Sequence, residues 1–590
     1  MRVADYIFKT LADRGVRHCF LVTGGGAMQL NDALRLEKRI KPICCHHEQA
    51  CAIAAEGYYR ASGRLPVVSV TTGPGGTNAL TGVIGAWLDS IPMIVISGQV
   101  KFSTTIASCP DVPLRQLGDQ EINIIDIVRP VTKYAKMVTE PEQIGQELEK
   151  ALEIATSGRP GPVWLDVPLN VQGAQLGAPI GVSVSPCEKQ SVECGEAELA
   201  KLETLVKASR RPVVIAGHGI ELDRAEKDFL AFVERMQLPV LSTFCGMNVI
   251  PSDHPLAFGR IGTIGQRAAN FILQNADLII SIGSRNNIRQ VSYNWENFGK
   301  RAKKVVVDID PAELAKPTVK PDLGICCSAA TFIRAWAALN ADCRRPEWLA
   351  WCEGIRRKYP PHTKDQMVCD GGVNPYHLTA VMSVMCPNDT AVAIGNGTVS
   401  IAAFQTWMCK RGQRVFCNSG CASMGYDLPA AIGAATSGVH TVCLAGDGSI
   451  MMNLQELETV RYNKLPVKIF IFDNHGYTSI RQTQGNLFSS EFIGCDPSSG
   501  VGFPDFKKIC LALGFDVGEI RCHDEIETVL ENVFSNWEPE VVLVDIPADL
   551  GFSPKLSARR LPDGSMVSPS LEDMFPFLDR MEMDGNVCRL

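Results

Sequence analysis

Two short stretches in the last third of the chain carry the clearest chemistry. Leu444-Ala445 runs into Gly446-Asp447-Gly448-Ser449, and Ile469–Phe472 runs into Asp473-Asn474. A strand that ends in Gly-Asp-Gly makes a tight turn whose backbone amides can approach a phosphate. A helix N-terminus is expected just beyond, at Asn453-Leu454-Gln455-Glu456. Asp447 supplies a hard oxygen, and Asn474, ending the next strand, supplies a second at the same sheet edge. Mg²⁺ favours few protein oxygens plus phosphates, so the pattern points to a diphosphate-bearing ligand. Gly-Asp-Gly alone would signify only a turn; the second strand ending in Asp-Asn is what gives it weight.

A second cluster, Cys44-Cys45-His46-His47 with Cys51, also has metal-ligand residue types. The chain contains no Cys-x-x-Cys pair, and the cluster adjoins an alanine-rich helical stretch, so buried structural thiols are the favoured reading over zinc.

Short β-branched runs alternate with alanine-rich helical stretches throughout: Val67–Thr71, Met93–Ser97, Pro212–Ala216, Asp277–Gly283, Lys304–Asp308, Thr441–Ala445 and Val467–Phe472. Near-continuous apolar strands between helices imply an α/β fold whose mainly parallel sheets are covered on both faces. Three blocks separate, with expected domains at residues 1–172, 190–342 and 365–550. A Gly/Pro/Ser-rich stretch, Gly173–Pro186, reads as a linker. Residues 551–590 have no clear period and read as a tail packed on the body. The first and third blocks share a rhythm that hints at duplicated architecture.

Composition excludes several classes. The 590 residues are 46% hydrophobic and 21% charged, with net charge −7. That is ordinary globular composition without the basic footprint of a nucleic-acid binder. No apolar run approaches the ~18 residues of a membrane span. The first residues mix acids and bases and have no signal-peptide core, so the 22 cysteines are expected to be reduced thiols in a cytoplasmic protein.

The Gly446–Val460 stretch, with Asn474 after it, resembles the diphosphate-binding motif of thiamine diphosphate enzymes. Further stretches resemble the acetohydroxyacid (acetolactate) synthase-like branch, in that family's order: Cys19–Leu34, His46–Gly63, Thr71–Val100, Gln120–Tyr134, Gly158–Pro168, Leu238–Gly262, Val306–Leu314 and Met424–Ala435. The resemblance covers about residues 1–550. It implies pyrimidine-binding, central and diphosphate-binding domains, with thiamine diphosphate and Mg²⁺ as cofactors.

The resemblance also assigns roles. Glu48 matches the glutamate that hydrogen-bonds N1′ of the aminopyrimidine, and Met424 the apolar residue that bends the cofactor. Gln120 matches an active-site glutamine, and Gly25 lies on the turn beside the reacting carbon. Thr72 and Asn78 fall on the pyrimidine side. Gly397, Thr398, Val399 and Ser400 lie where the second cofactor loop binds, the glycine being the residue that matches. Gly446, Asp447, Gly448, Ser449, Asn474, Gly476 and Tyr477 belong to the diphosphate site, with Asp447, Asn474 and Gly476 on the metal. The implied reaction releases CO₂ from a 2-oxo acid, in the first place pyruvate, and transfers the acyl unit to a carbonyl acceptor. A homodimer is the smallest active unit implied, and a homotetramer is common.

The chain departs from the family at the acceptor. Asp119 replaces an aromatic residue before the glutamine, and Thr483 replaces a tryptophan after Gln482. A roomier, more polar site points to an acceptor larger than pyruvate, such as a keto-sugar. In the central block the family's synthases bind FAD through two arginines and an acid. Gly283–Arg289 keeps Arg285 and Arg289 without that acid, and Ala216-Gly217-His218-Gly219 replaces a glycine-richer turn. Arg285, Arg289, Asp308 and Asp310 are thus candidates for FAD, for another nucleotide, or for surface ion pairs. The competing functions are a thiamine-dependent lyase or hydrolase of a ring dione or 2-hydroxyacyl-CoA, and a non-catalytic cofactor-binding partner.

Overall fold

The computed structural model describes residues 1–177, 193–339, 343–488, 491–560 and 563–589. Beyond residue 177, the expected linker Gly173–Pro186 lies outside the described residues. Each of the seven apolar runs forms a strand.

In the first domain, β1 (His18–Leu21), β2 (Lys41–Cys44), β3 (Val67–Val70), β4 (Met93–Gln99), β5 (Tyr134–Met137) and β6 (Pro162–Pro168) form one parallel sheet, in the order β2-β1-β3-β4-β6-β5. In the central domain, β7 (Pro212–Ala216), β8 (Val240–Ser242), β9 (Ala257–Arg260), β10 (Leu278–Ile282), β11 (Lys303–Asp308) and β12 (Leu323–Cys326) run β12-β11-β10-β7-β8-β9. The third contains β13 (Ala391–Ile394), β14 (Arg414–Phe416), β15 (Thr441–Gly446), β16 (Val467–Asp473), β17 (Asp516–Ile520) and β18 (Glu540–Asp545), ordered β14-β13-β15-β16-β18-β17. The first and third orders are the same permutation, so those domains share one architecture. The central order is the doubly wound one, which reverses direction between β7 and β10 and opens a crevice there.

Every residue of β4 and β6 is buried, as expected for strands covered on both faces. The first and third domains meet through the helices Glu48–Ser62 and Asp427–Thr436. Their backbones touch: a Cβ on Gly57 would lie 2.1 Å from the Ala430 carbonyl oxygen, and one on Gly433 1.8 Å from that of Ala54.

A buried ion network ties all three domains together. Arg60 bonds Glu56 at 2.8 Å and Asp89 at 2.7 Å. Asp89 also accepts from the Gly420 amide at 3.1 Å and faces Arg285 at 3.5 Å. Removing one member would strand a buried charge, which typically costs about 3–5 kcal/mol. The tail packs on the central domain, where Leu571 and Met574 are buried and Asn270 Nδ2 donates to the Leu571 carbonyl at 3.1 Å. Among the described residues no helix is long and apolar enough to cross a membrane.

Candidate active site

The Gly-Asp-Gly turn sits at the carboxyl end of β15, as its sequence requires. A short helix, Asp447–Ile450, starts at the acid itself, and the expected helix beyond it runs from Glu456 to Tyr462. Asp447 is therefore a first-turn residue, with its carboxylate turned back to local amides. Oδ1 accepts from the Gly448 amide at 2.7 Å and Oδ2 from the Gly476 amide at 2.8 Å. Burial, helped by neighbouring Asp473, pushes this carboxyl up to about 7. A cation at that position would restore the charged form.

Asn474 ends the adjacent β16 and donates from Nδ2 to Thr398 Oγ1 at 2.9 Å. Its Oδ1 is buried without a partner, as is Thr478 Oγ1. A buried unpaired acceptor costs free energy unless a ligand completes it. A hard cation supplies what Asn474 Oδ1 lacks, so Asp447 and Asn474 fit Mg²⁺. The Gly476 carbonyl accepts from the Thr478 amide at 3.1 Å. Tyr477 lies against Gly448, where a Cβ would fall 2.0 Å from the ring.

The second cofactor loop joins the same edge. Gly397, at φ +64°, caps the helix Thr398–Thr406, and Ser400 Oγ donates back to its carbonyl at 3.1 Å. Val399 is fully buried. The loop holding Met424 is fixed from both sides: the Gly425 amide donates to Ser449 Oγ at 2.9 Å, and Asn453 Nδ2 to the Gly425 carbonyl at 2.7 Å. Met424 itself is half-buried.

The first domain assembles the other set. Glu48 opens the helix Glu48–Ser62, whose cap is His47; the His47 ring accepts from the Gln49 amide at 3.1 Å. Glu48 is 8% exposed, and its carboxylate accepts from Asn78 Nδ2 at 3.0 Å. Gly25 begins a tight turn after β1 and has open space where a side chain would stand, while Cβ atoms on Gly24 and Gly26 would strike Thr71 and Thr72. Thr72 Oγ1 donates to the Gly98 carbonyl at 3.1 Å. Gln120 adopts φ +59°, a strained conformation for a non-glycine residue, and its carbonyl rests on Gly73. The two sets approach within one chain: Asn453 Nδ2 reaches Gln49 Oε1 at 3.1 Å, and the His46 amide donates to Glu456 at 2.9 Å.

Sequence reasoning missed the support beneath Gln120. Asp166, fully buried at the end of β6, accepts from Ser97 Oγ at 2.6 Å and from Gln99 Nε2 at 3.1 Å. Gln99 Nε2 also donates to the Ile122 carbonyl at 3.0 Å. Glu121 anchors the preceding loop, accepting from the Ile106 and Leu117 amides at 2.9 Å each. The available signal was an acid at the carboxyl end of a parallel strand, where ligand sites gather.

Burial pushes the Asp166 carboxyl up to about 7 from an ordinary 3.8. The folded state therefore holds a proton that the unfolded chain releases, and stability falls as pH rises from about 4 to about 7. At roughly 1.4 kcal/mol per unit, this amounts to about 4 kcal/mol. Asp166→Asn is expected to flatten that part of the profile, read by urea unfolding at pH 5 and pH 8. An unchanged pH difference would assign the effect elsewhere.

Among the described residues no three His, Cys, Asp or Glu side chains gather as metal ligands, at the Cys44–Cys51 cluster or elsewhere. Cys45 and Cys51 are buried in the core shared by the first and third domains.

In the central domain the crevice between β7 and β10 is a cleft with about 200 Å³ of space. Arg285, Arg289 and Asp308 line it, with His218 and Ser284. Burial raises the Asp308 carboxyl. Asp310 instead caps the helix Pro311–Ala315 and pairs with Arg159 at 2.8 Å. Arg289 stacks over the Phe244 ring at 5.1 Å.

Comparison with known proteins agrees with this layout. Residues 1–124 match the thiamine pyrophosphate enzyme N-terminal TPP binding domain, 199–336 its central domain and 394–546 its C-terminal TPP binding domain. A probable acetolactate synthase large subunit of Methanocaldococcus jannaschii is 33% identical over 568 residues, 93% of this chain and 92% of that protein. The acetolactate synthase isozyme 1 large subunit of Escherichia coli is 31% identical, over 92% of this chain and 94% of its own. Acetolactate synthase 1, chloroplastic, of Zea mays is also 31% identical, over 92% and 85%.

Proposed function

Since the chain belongs to the thiamine pyrophosphate enzymes, in their acetolactate synthase-like branch, we propose that it decarboxylates a 2-oxo acid, in the first place pyruvate, and joins the acyl unit to a carbonyl acceptor larger than pyruvate, such as a keto-sugar. The observation that carries the cofactor reading is the buried, unpartnered Asn474 Oδ1 beside Asp447.

Bound thiamine diphosphate supplies a carbon nucleophile and an electron sink for the bond to CO₂. Asp447 and Asn474 would hold its Mg²⁺, with the amides of the short helix Asp447–Ile450 facing the phosphates. Glu48, buried and oriented by Asn78, would hold and exchange a proton at the N1′ ring nitrogen. Met424, braced through Gly425, would supply the apolar contact against the bound cofactor. Gln120, locked at positive φ, presents its amide toward the substrate from a loop anchored by Glu121. A low-dielectric pocket would favour loss of the carboxylate's charge.

The acceptor reading rests on Asp119 and Thr483, which stand where the branch carries bulky aromatics. The test is pyruvate consumption with a panel of aldehyde, ketone and keto-sugar acceptors, the products identified by mass. A mixed product with a hydroxylated acceptor is expected. Efficient acetolactate formation from pyruvate alone would overturn the acceptor assignment.

We propose further that the central cleft takes a nucleotide, FAD being one candidate, supported by Arg285, Arg289 and the unpartnered His218 Nε2 at its wall. A homodimer or homotetramer in the cytoplasm completes the reading, in keeping with the free thiols of the described cysteines.

A further inference from the structure

The chain leaves β18 at Asp545 and turns back across its own third domain. Phe552 is buried against Tyr376, Ile401 and Ala402. The Ser553 amide donates to Tyr376 OH at 3.0 Å, and Gln405 Nε2 to the Pro554 carbonyl at 2.7 Å. The Leu556 amide then donates to the Thr263 carbonyl of the central domain at 2.7 Å. Lys555 is therefore fixed at both sides, and its side chain is half-buried.

Its ammonium donates to Gln482 Oε1 at 2.9 Å and sits over the Phe552 ring, 5.8 Å from the centroid. Both partners are neutral, and among the described residues no carboxylate pairs with it. Burial lowers the Lys555 ammonium's pKa with no opposing charge. Gln482 lies on the helix Thr478–Leu487, just after Asn474. Ser479, three residues earlier and so on the same helix face, has its Oγ 3.5 Å from where a Cβ on Gly397 would stand. The uncompensated cation thus bonds the helix that carries Thr483 in place of tryptophan, at a residue about one helical turn from Ser479, which faces the second cofactor loop.

We infer that Lys555 is the anion-binding residue of the acceptor site and takes the carboxylate or phosphate oxygens of an anionic carbonyl substrate. This rests on the carboligase reading and deepens it by assigning the acceptor's charge. After bonding Gln482 the ammonium retains N–H donors, and lysine binds oxyanions as a compact point charge. Charge-assisted hydrogen bonds are the strong ones, and partial burial strengthens them further. The alternative is a strut that only ties the tail to the helix.

The test uses the thiamine diphosphate–Mg²⁺ enzyme and three unreactive probes lacking a ketone or aldehyde group: glycerol 3-phosphate, lactate and glycerol, with binding measured by calorimetry. At least one anion is expected to bind about 10- to 100-fold tighter than glycerol. Lys555→Met should abolish that preference, and Lys555→Arg should keep most of it. Preference for glycerol 3-phosphate alone would identify a phosphate-bearing acceptor, and for lactate alone a carboxylate; either supports the assignment. No anion preference in the parent, or a preference untouched by Lys555→Met, overturns it. Lysine-dependent anion binding by an enzyme that consumes no 2-oxo acid would sink the carboligase reading and leave the anion site standing.

Discussion

Glu48→Gln is expected to lower turnover by about 10²–10⁴-fold, the range typical of losing one positioned acid–base group. The substitution preserves shape: the amide oxygen can still accept from Asn78 Nδ2, and the His47 cap of the helix is untouched. What disappears is the exchangeable proton. Cofactor affinity, set mainly by the third domain, should change far less than the rate. Substrate consumption and a thiamine diphosphate binding titration separate the two. Turnover within a few-fold of the parent would remove Glu48 from the proton path and revive the non-catalytic alternative.

Asp447→Asn should fail in the opposite way, at binding. The variant keeps the turn, since an amide oxygen can accept one of the two local N–H bonds, but it loses the anionic oxygen facing the cation. Groups that only support a metal ligand are commonly worth about 10–100-fold in affinity. Direct loss of the carboxylate is expected to weaken Mg²⁺-dependent cofactor binding by at least about 100-fold. Excess Mg²⁺ and cofactor should restore part of the rate, as they would not for Glu48→Gln. Equal cofactor affinity in variant and parent would place the metal elsewhere.

The contrast between these residues and the others shows what a sequence can carry. Asp447 and Asn474 each end an apolar strand, so local pattern alone put both at one sheet edge. The alternation of strands and helices gave parallel sheets for the same reason. Strand order is set by which edges pair far along the chain, so the doubly wound order of the central domain could not be read. Asp166, Gln99 and Ser97 come from two strands and meet only in the folded sheet. Gln120's positive φ is forced by packing on Gly73, not by its own type. Lys555 sits in a segment without periodicity, and its meaning depends on having no carboxylate neighbour, which is a property of three dimensions. The helix expected at Asn453–Glu456 starts at Glu456, while the short helix opened by Asp447 before it had no periodic signal of its own.

The contact between the helices Glu48–Ser62 and Asp427–Thr436 has a mechanical consequence. Gly57 and Gly433 allow two backbones to touch, leaving no layer of side chains that could slide or rearrange. Swinging the first domain away from the third would also expose the buried charges of Glu56, Arg60 and Asp89. The pair should therefore behave as one rigid body, and large-scale domain opening is a poor way to admit substrate. Entry and exit then fall to the segments that cross the rim: the loop anchored by Glu121, and the turn carrying Phe552 and Lys555. If acceptor delivery limits the rate, changes in those two segments should set the tempo of turnover, while the joined domains keep time only by holding still.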